Sequence, residues 1–305
     1  MTKAGSDDLG FPPGAGARLG KRGRAQGTAY ESRNGIESHH LVTKTLPMLQ
    51  AADRRMLHEW IVQGGYPDMM GLPDRARRLR HSGYLDGVIE KDVPALSPIR
   101  KPDAFRRTAA QLAARVGQEL NLQSLCNAVD TARDTVANWL DILEGLHLIR
   151  RLGAWSHGPT RREVRSPKLH FVDSGLACSL RGVDMDDLAQ PRDPLLPGSP
   201  IENLVWSELT RSRPLHQRPW RLCHWRRDRR EIDIIAEAPG KRLVLLEVKA
   251  SSQVRPTDAR HLEWFISQGP GRDFHATGAV IYLGAHTLRL SPNILAIPLT
   301  ALWTS

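Results

Sequence analysis

Between Arg230 and Ser251 the chain reads REIDIIAEAPGKRLVLLEVKAS, two strongly aliphatic runs separated by Pro239-Gly240. Isoleucine and valine favour extended backbone and a Pro-Gly pair interrupts it, so the stretch predicts a β-hairpin. Runs so apolar are expected to hold no charge. Yet Asp233 stands in the first arm, and Glu247 and Lys249 flank Val248 in the second. Neighbouring residues of a strand point to opposite faces while i and i+2 share one. Glu247 and Lys249 therefore emerge together, and Val248 turns into the core.

The hairpin brings Asp233 within reach of Glu247. Two carboxylates converging on one point repel unless a cation or a proton lies between them. A divalent metal is one solution: Asp233, Glu247 and the Val248 carbonyl offer hard oxygen ligands suited to magnesium or manganese. Lys249 then orients a bound water or offsets charge in the transition state. Glu202, on the preceding helix, is placed to supply an outer carboxylate. Asp233, Glu247, Lys249 and Glu202 are thus the candidate catalytic residues. The alternative for the same side chains is a set of surface salt bridges on an edge strand.

The order of elements around the hairpin is legible. After Pro200 come a helix (IENLVWSELTRS), a strand (WRLCHWRRD), the hairpin, a helix (PTDARHLEWFISQ) and the apolar runs GAVIYLG and ILAIPL. The last hundred residues therefore predict an αβββαβ domain, with a further short strand, over 200–305.

Upstream, residues 99–183 read as three helices and a basic hairpin. Pro102 and Asp103 start the first helix, NLQSLCNAVD is a short second, and the third takes Thr131 as cap with Val136, Leu140 and Leu143 on its inner face. That order is the one of a winged helix-turn-helix. Arg133, Asp134, Ala137, Asn138 and Asp141 fall on the outer face of the third helix, where the two acids weaken the case for major-groove insertion. The hairpin carries Arg150, Arg151, Arg161, Arg162, Arg165 and Lys168, and HWRRDRR further on carries Arg226, Arg227, Arg229 and Arg230; these ten are the candidate phosphate contacts. A winged helix used for protein contacts is the alternative. Asp173 and Ser174 are expected to cap the helix beginning at Gly175.

The segment 46–98 predicts two helices broken at QGGYPD, the second carrying Leu79, Leu85, Val88 and Ile89 inward, together a small helical bundle. A Pro- and Asp-rich stretch, 184–199, reads as a linker. Residues 1–45 hold glycines and basic residues with few aliphatics, and are expected to be a disordered basic tail. Within that tail, GAGARLGKRG fails as a phosphate-binding loop, because Ala15 replaces the first glycine and Arg22 the Ser/Thr. No ATP site is expected.

Three scattered cysteines, Cys126, Cys178 and Cys223, support neither disulfides nor zinc. With 40% hydrophobic and 25% charged residues the chain has the composition of a soluble globular protein. No run reaches the ~18 apolar residues of a membrane span, and a cytoplasmic location without a membrane partner is expected. A net charge of +10 favours a polyanionic partner, nucleic acid first and a protein partner second.

Glu202, Asp233 and the Glu247-Val248-Lys249 triplet, in that order of elements, resemble the PD-(D/E)xK nuclease superfamily, with no proline before Asp233. The wider run GGYPD, YLDGVIEKDV, SPKLHFVDSGL, GSPIENLVWSEL, EIDIIAE and LLEVKAS resembles the C-terminal region of a prokaryotic AAA-type ATPase family, a domain of unknown function built from a winged helix and a nuclease-like fold. The resemblance implies that 46–98 is the remnant of an ATPase lid, that the ATPase module itself is largely missing, and that the C-terminal domain is a nuclease-like DNA-binding unit.

Overall fold

The computed structural model describes residues 54–96, 101–156, 166–191, 196, 198–217 and 219–303. The expected tail, 1–45, and Arg161, Arg162 and Arg165 lie outside them. The architecture is mixed α+β, with a helical N-terminal part and a six-stranded mixed sheet.

Helix α1 (Arg54–Gln63) ends at Gly64, and after a short 3-10 turn at Pro67–Met69 helix α2 spans Asp74–Gly87. It continues through a widened π turn at Val88–Asp92 into α3 (Val93–Leu96). The break at QGGYPD is as expected, but the two helices share no bundle core of their own. Leu57, Ile61 and Val62 of α1 join the core beneath the sheet, whereas Leu85, Val88 and Ile89 join the next three helices. Leu79, expected inside, is 66% exposed. The inward positions of its helix are Arg77, His81 and Leu85 instead.

Helices α4 (Pro102–Ala113), α5 (Leu122–Val129) and α6 (Arg133–Gly145) follow, then an antiparallel ribbon of β1 (Ile149–Leu152) and β2 (Lys168–Phe171). Phe105, Leu112, Leu125, Val136, Leu140 and Leu143 fill the core between them, Phe105 edge-on to Trp139. Asn121 caps α5 through the Ser124 amide, and Asp130 in the left-handed region closes it. Ala132, not Thr131, takes the cap position of α6; the Thr131 hydroxyl turns back to the Val129 carbonyl. The stretch 117–120 hydrogen-bonds along β2 through Gly117 and Leu120 N–H and the Gln118 carbonyl, so the ribbon is flanked by a third extended piece.

Helix α7 (Ser174–Arg181) is capped by Asp173 as expected, its carboxylate accepting from the Leu176 amide at 2.8 Å. The other oxygen accepts from the Gly65 amide at 2.6 Å and so ties the end of α1 to the start of α7. Glycine is required on both sides of this joint. A Cβ on Gly64, whose φ is +71°, would stand 2.3 Å from Asp173 Oδ1, and one on Gly175 2.4 Å from the Gln63 carbonyl oxygen. The expected linker contains helix α8 (Met185–Ala189), held by a reciprocal cap between Asp184 and Asp187.

Helix α9 spans Gly198–Ser212, with Pro200 in its first turn. The sheet follows: β3 (Arg221–Arg227), β4 (Arg230–Ala238), β5 (Arg242–Lys249), helix α10 (Arg260–Ser267), β6 (His275–Tyr282), β7 (Leu288–Ser291) and β8 (Ile294–Pro298). The spatial order is β3-β4-β5-β6-β8-β7, with β5, β6 and β8 parallel and the outer pairs antiparallel. Strand β7 is the short piece that the apolar runs do not show, because its sequence LRLS is half polar and sits at the sheet edge. One face packs Ile234, Leu246 and Val248 against Ile201, Leu204 and Val205 of α9. The other packs Ile232, Ile235, Leu243 and Leu245 against Leu262 and Phe265 of α10. At the β3 edge, His224 exchanges backbone hydrogen bonds with Gly153 and Trp155, so the continuation of β1 lies along the sheet.

Candidate functional site

Asp233 stands where the sheet is irregular. The register of β3 on β4 slips between Cys223↔Ile235 and Trp225↔Ile232, leaving Asp233 and Ile234 opposite His224 alone. Such bulges turn a side chain out of the regular alternation. The β4–β5 ladder likewise ends at Ile234↔Leu246, and beyond it the Val248 amide donates to Asp233 Oδ2 at 2.9 Å. A carboxylate thus takes the place of a strand carbonyl at the point where the two arms part.

The other oxygen of Asp233 faces a lysine that the sequence reading assigned elsewhere. Lys168, the first residue of β2, is only 1% exposed. Its Nζ lies 2.9 Å from Glu202 Oε1 on α9, 2.8 Å from Glu231 Oε1 and 3.3 Å from Asp233 Oδ1 on β4. Lys168 is therefore no phosphate contact: its ammonium is buried among three carboxylates. Glu231, two residues before Asp233, was absent from the sequence-level site; the i, i+2 rule applied to EID would have found it.

Asn203 fixes this arrangement. Its buried amide accepts from the Phe171 N–H at 2.8 Å and donates to the Phe171 carbonyl at 3.1 Å, so α9 is stitched to β2 beside Lys168. The neutral ring of His170 stacks on Trp206 with centroids 4.8 Å apart. Burial, and then the neighbouring Lys168, push its pKa well below the ordinary value.

Burial pulls the Lys168 pKa down, but Glu202, Asp233 and Glu231 outweigh it and keep the ammonium charged. One positive charge among three carboxylates leaves the cluster short of cation. Burial first and the Asp233 charge second raise Glu202 to about 8, against the pull of Lys168, so a proton is retained there. Glu247 is likewise raised to about 8 by burial and by Asp233. Its Oε1 accepts from Lys249 Nζ at 2.7 Å, while its Oε2 is buried without a hydrogen-bond partner. Glu247 and Lys249 do emerge together, with Val248 buried between them.

The expected phosphate contacts divide. Arg151 is held by Asp141 at 2.7 Å and by Glu144, and Arg150 folds onto the Glu144 carbonyl and His147, so both are spent on the end of α6. Arg226, Arg227, Arg229 and Arg230 are exposed around the β3–β4 turn. Of these, Arg230 lies over the Trp264 ring at 4.1 Å. Arg226 reaches Glu119 and Glu231 only at 3.8 Å. Arg133, in the first turn of α6, and Arg226 line one cavity.

Among the described residues, no three His, Cys, Asp or Glu side chains converge as a metal-holding group, and no helix is long and apolar enough to cross a membrane. Cys126, Cys178 and Cys223 are buried and free.

Two family models match this chain, each a domain of unknown function: DUF8612 over residues 54–187 and DUF4143 over 197–302. Among individual proteins, uncharacterized proteins of Mycobacterium tuberculosis and Mycobacterium bovis are each 30% identical over 258 residues, 84% of this chain and 54% of theirs. An uncharacterized protein of Haemophilus influenzae is 23% identical over 60% of this chain and 43% of its own length. The chain thus spans about half the length of the curated relatives it matches. A MarR-family transcriptional regulator from Silicibacter pomeroyi is similar over 50% of this chain and 98% of its own, at 19% identity and a TM-score of 0.20, too slight a likeness to bear on function.

Proposed function

We propose that this chain is a nucleic-acid-binding protein, in which a winged helix-turn-helix (α4–α6 with the β1–β2 ribbon) is joined to a PD-(D/E)xK-like domain whose acidic cluster is held by a lysine rather than by a divalent ion. The observation that carries the binding half of this reading is the shared cavity of Arg133 and Arg226. It puts the start of α6 and the arginine-rich β3–β4 turn on one side of the molecule, where a phosphate backbone can meet both.

The second half rests on how poorly a metal suits these side chains. Magnesium or manganese, if bound by Asp233, Glu247 and the Val248 carbonyl, would supply water activation for phosphodiester hydrolysis. Asp233, however, has one oxygen on the Val248 amide and the other facing Lys168, which already stands between it, Glu202 and Glu231. A divalent ion entering there would have to displace both the Val248 amide and a buried ammonium that repels it at close range. The residues therefore do not fit a metal as they stand, and no hydrolytic step is assigned to them. An ATP site forms no part of this reading.

Salt titration of binding to labelled duplex and single-stranded DNA tests the proposal. The affinity is expected to fall steeply with salt, and Arg227→Ala with Arg229→Ala to lower the log-log slope by about one per arginine. A flat salt response overturns the binding reading. Cleavage in magnesium or manganese that disappears in Asp233→Ala overturns the idle-site reading and restores the nuclease.

A further inference from the structure

A cavity of about 680 Å³ opens where the foot of α6 faces the β3–β4 arm, walled by the 117–123 segment, Arg133, Ser166, Arg226 and Glu231. We infer that it receives a single unpaired nucleotide of a nucleic-acid strand running along the arginines of the β3–β4 turn; this rests on the nucleic-acid reading above and goes further by naming the strand state recognised. The volume is that of a small-molecule site rather than of a groove for a duplex.

The charge of the walls selects the ligand class. Arg133 and Arg226 oppose Glu119 and Glu231, so the lining is balanced. A free nucleoside triphosphate, with several negative charges, finds no matching excess of cation. One phosphodiester unit carries one charge, and a guanidinium meets it well. The Arg133 guanidinium and the Gln118 side-chain amide have no hydrogen-bond or ion-pair partner among the described residues, and Arg226 is paired only at 3.8 Å. These donors are available to a guest. The carboxylates of Glu119 and Glu231 suit the exocyclic amino group of a base, as the Gln118 amide suits its edge. Half-buried Leu120 and Leu122 give the base an apolar wall. A paired base keeps its edges in the duplex and cannot enter; an unpaired one can be splayed into such a site.

Fluorescence anisotropy with one labelled oligonucleotide, alone and annealed to its complement, tests the inference on the full chain. Gln118→Ala, which removes no charge, is expected to weaken binding of the single strand several-fold with duplex binding changed less than about two-fold, and Arg133→Ala to weaken the single strand about ten-fold, the loss of one charge-assisted hydrogen bond, and the duplex by less. Arg227→Ala with Arg229→Ala weakens both forms. If the cavity variants leave single-strand binding intact while the turn variants lower it, the cavity assignment fails and the nucleic-acid reading stands. Equal losses on both substrates overturn it too, since the cavity would then be ordinary backbone contact. Binding of neither substrate by the wild-type chain overturns both.

Discussion

Lys168 and Glu202 are 34 positions apart in the chain, and their side chains meet at 2.9 Å with the lysine wholly enclosed. The ribbon and the sheet domain are thereby joined by a hydrogen bond from a buried ammonium that Glu231 and Asp233 also face. Removing one partner of a buried pair leaves the other uncompensated, at a cost of about 3–5 kcal/mol. Lys168→Met is expected to lose that much in urea denaturation. Adding Glu202→Gln to it recovers part of the loss; a Lys168→Met variant as stable as wild type would remove the cluster from any structural role.

Stability should depend on pH through Glu202 and Glu247. Both carboxyls have an ordinary value of 4.5 and are raised to about 8 in the fold, chiefly by burial. The folded chain binds more protons than the unfolded one between these values, so this contribution is complete below 4.5 and is lost as pH rises toward 8. Melting temperatures measured across that window are expected to decline, and Glu247→Gln to flatten the decline. The same slope in the variant and the wild type would place the proton elsewhere.

Millimolar magnesium or manganese is expected to leave the melting temperature of the wild-type chain unchanged. A ligand that binds only the folded state must raise it, by about 2–4 °C per kcal/mol for a domain of this size. In Lys168→Ala the same ions should produce a rise, because Glu202, Glu231 and Asp233 then face one another without a cation. A wild-type shift abolished by Asp233→Asn would show a metal site in the unaltered protein.

The joint between α1 and α7 makes a sharper prediction. A Cβ on Gly175 meets backbone at 2.4 Å, which no rotamer relieves. Gly175→Ala is expected to lower stability by about 3 kcal/mol through overpacking, as read by chemical denaturation. Asp173→Ala, which deprives the Gly65 and Leu176 amides of their acceptor, should cost about 1–2 kcal/mol.

What could be read from the chain alone followed from local pattern. The spacing of Val136, Leu140 and Leu143 located α6, Asp173 announced its helix, and the alternation around Val248 put Glu247 and Lys249 side by side. Thr131 was misread because a threonine ahead of a helix has no visible signal for where its hydroxyl turns. Helix α8 escaped notice in a Pro- and Asp-rich stretch, although the Asp184–Asp187 spacing of a capping box was there. The decisive partner of Asp233 was hidden for a different reason. Lys168 belongs to a basic run and lies 65 residues upstream, and nothing in that spacing distinguishes a solvated lysine from one enclosed by the fold.

Segments 54–187 and 197–302 match separate family models, yet the enclosed ammonium belongs to the first and the three carboxyl groups around it to the second. Severing the chain between them would leave each piece with charges stripped of their complement, alongside the broken Asn203 stitch and the lost Gly153–His224 seam. The two matched regions are therefore expected to melt in a single cooperative step, and expression of either one alone to yield a poorly folded product.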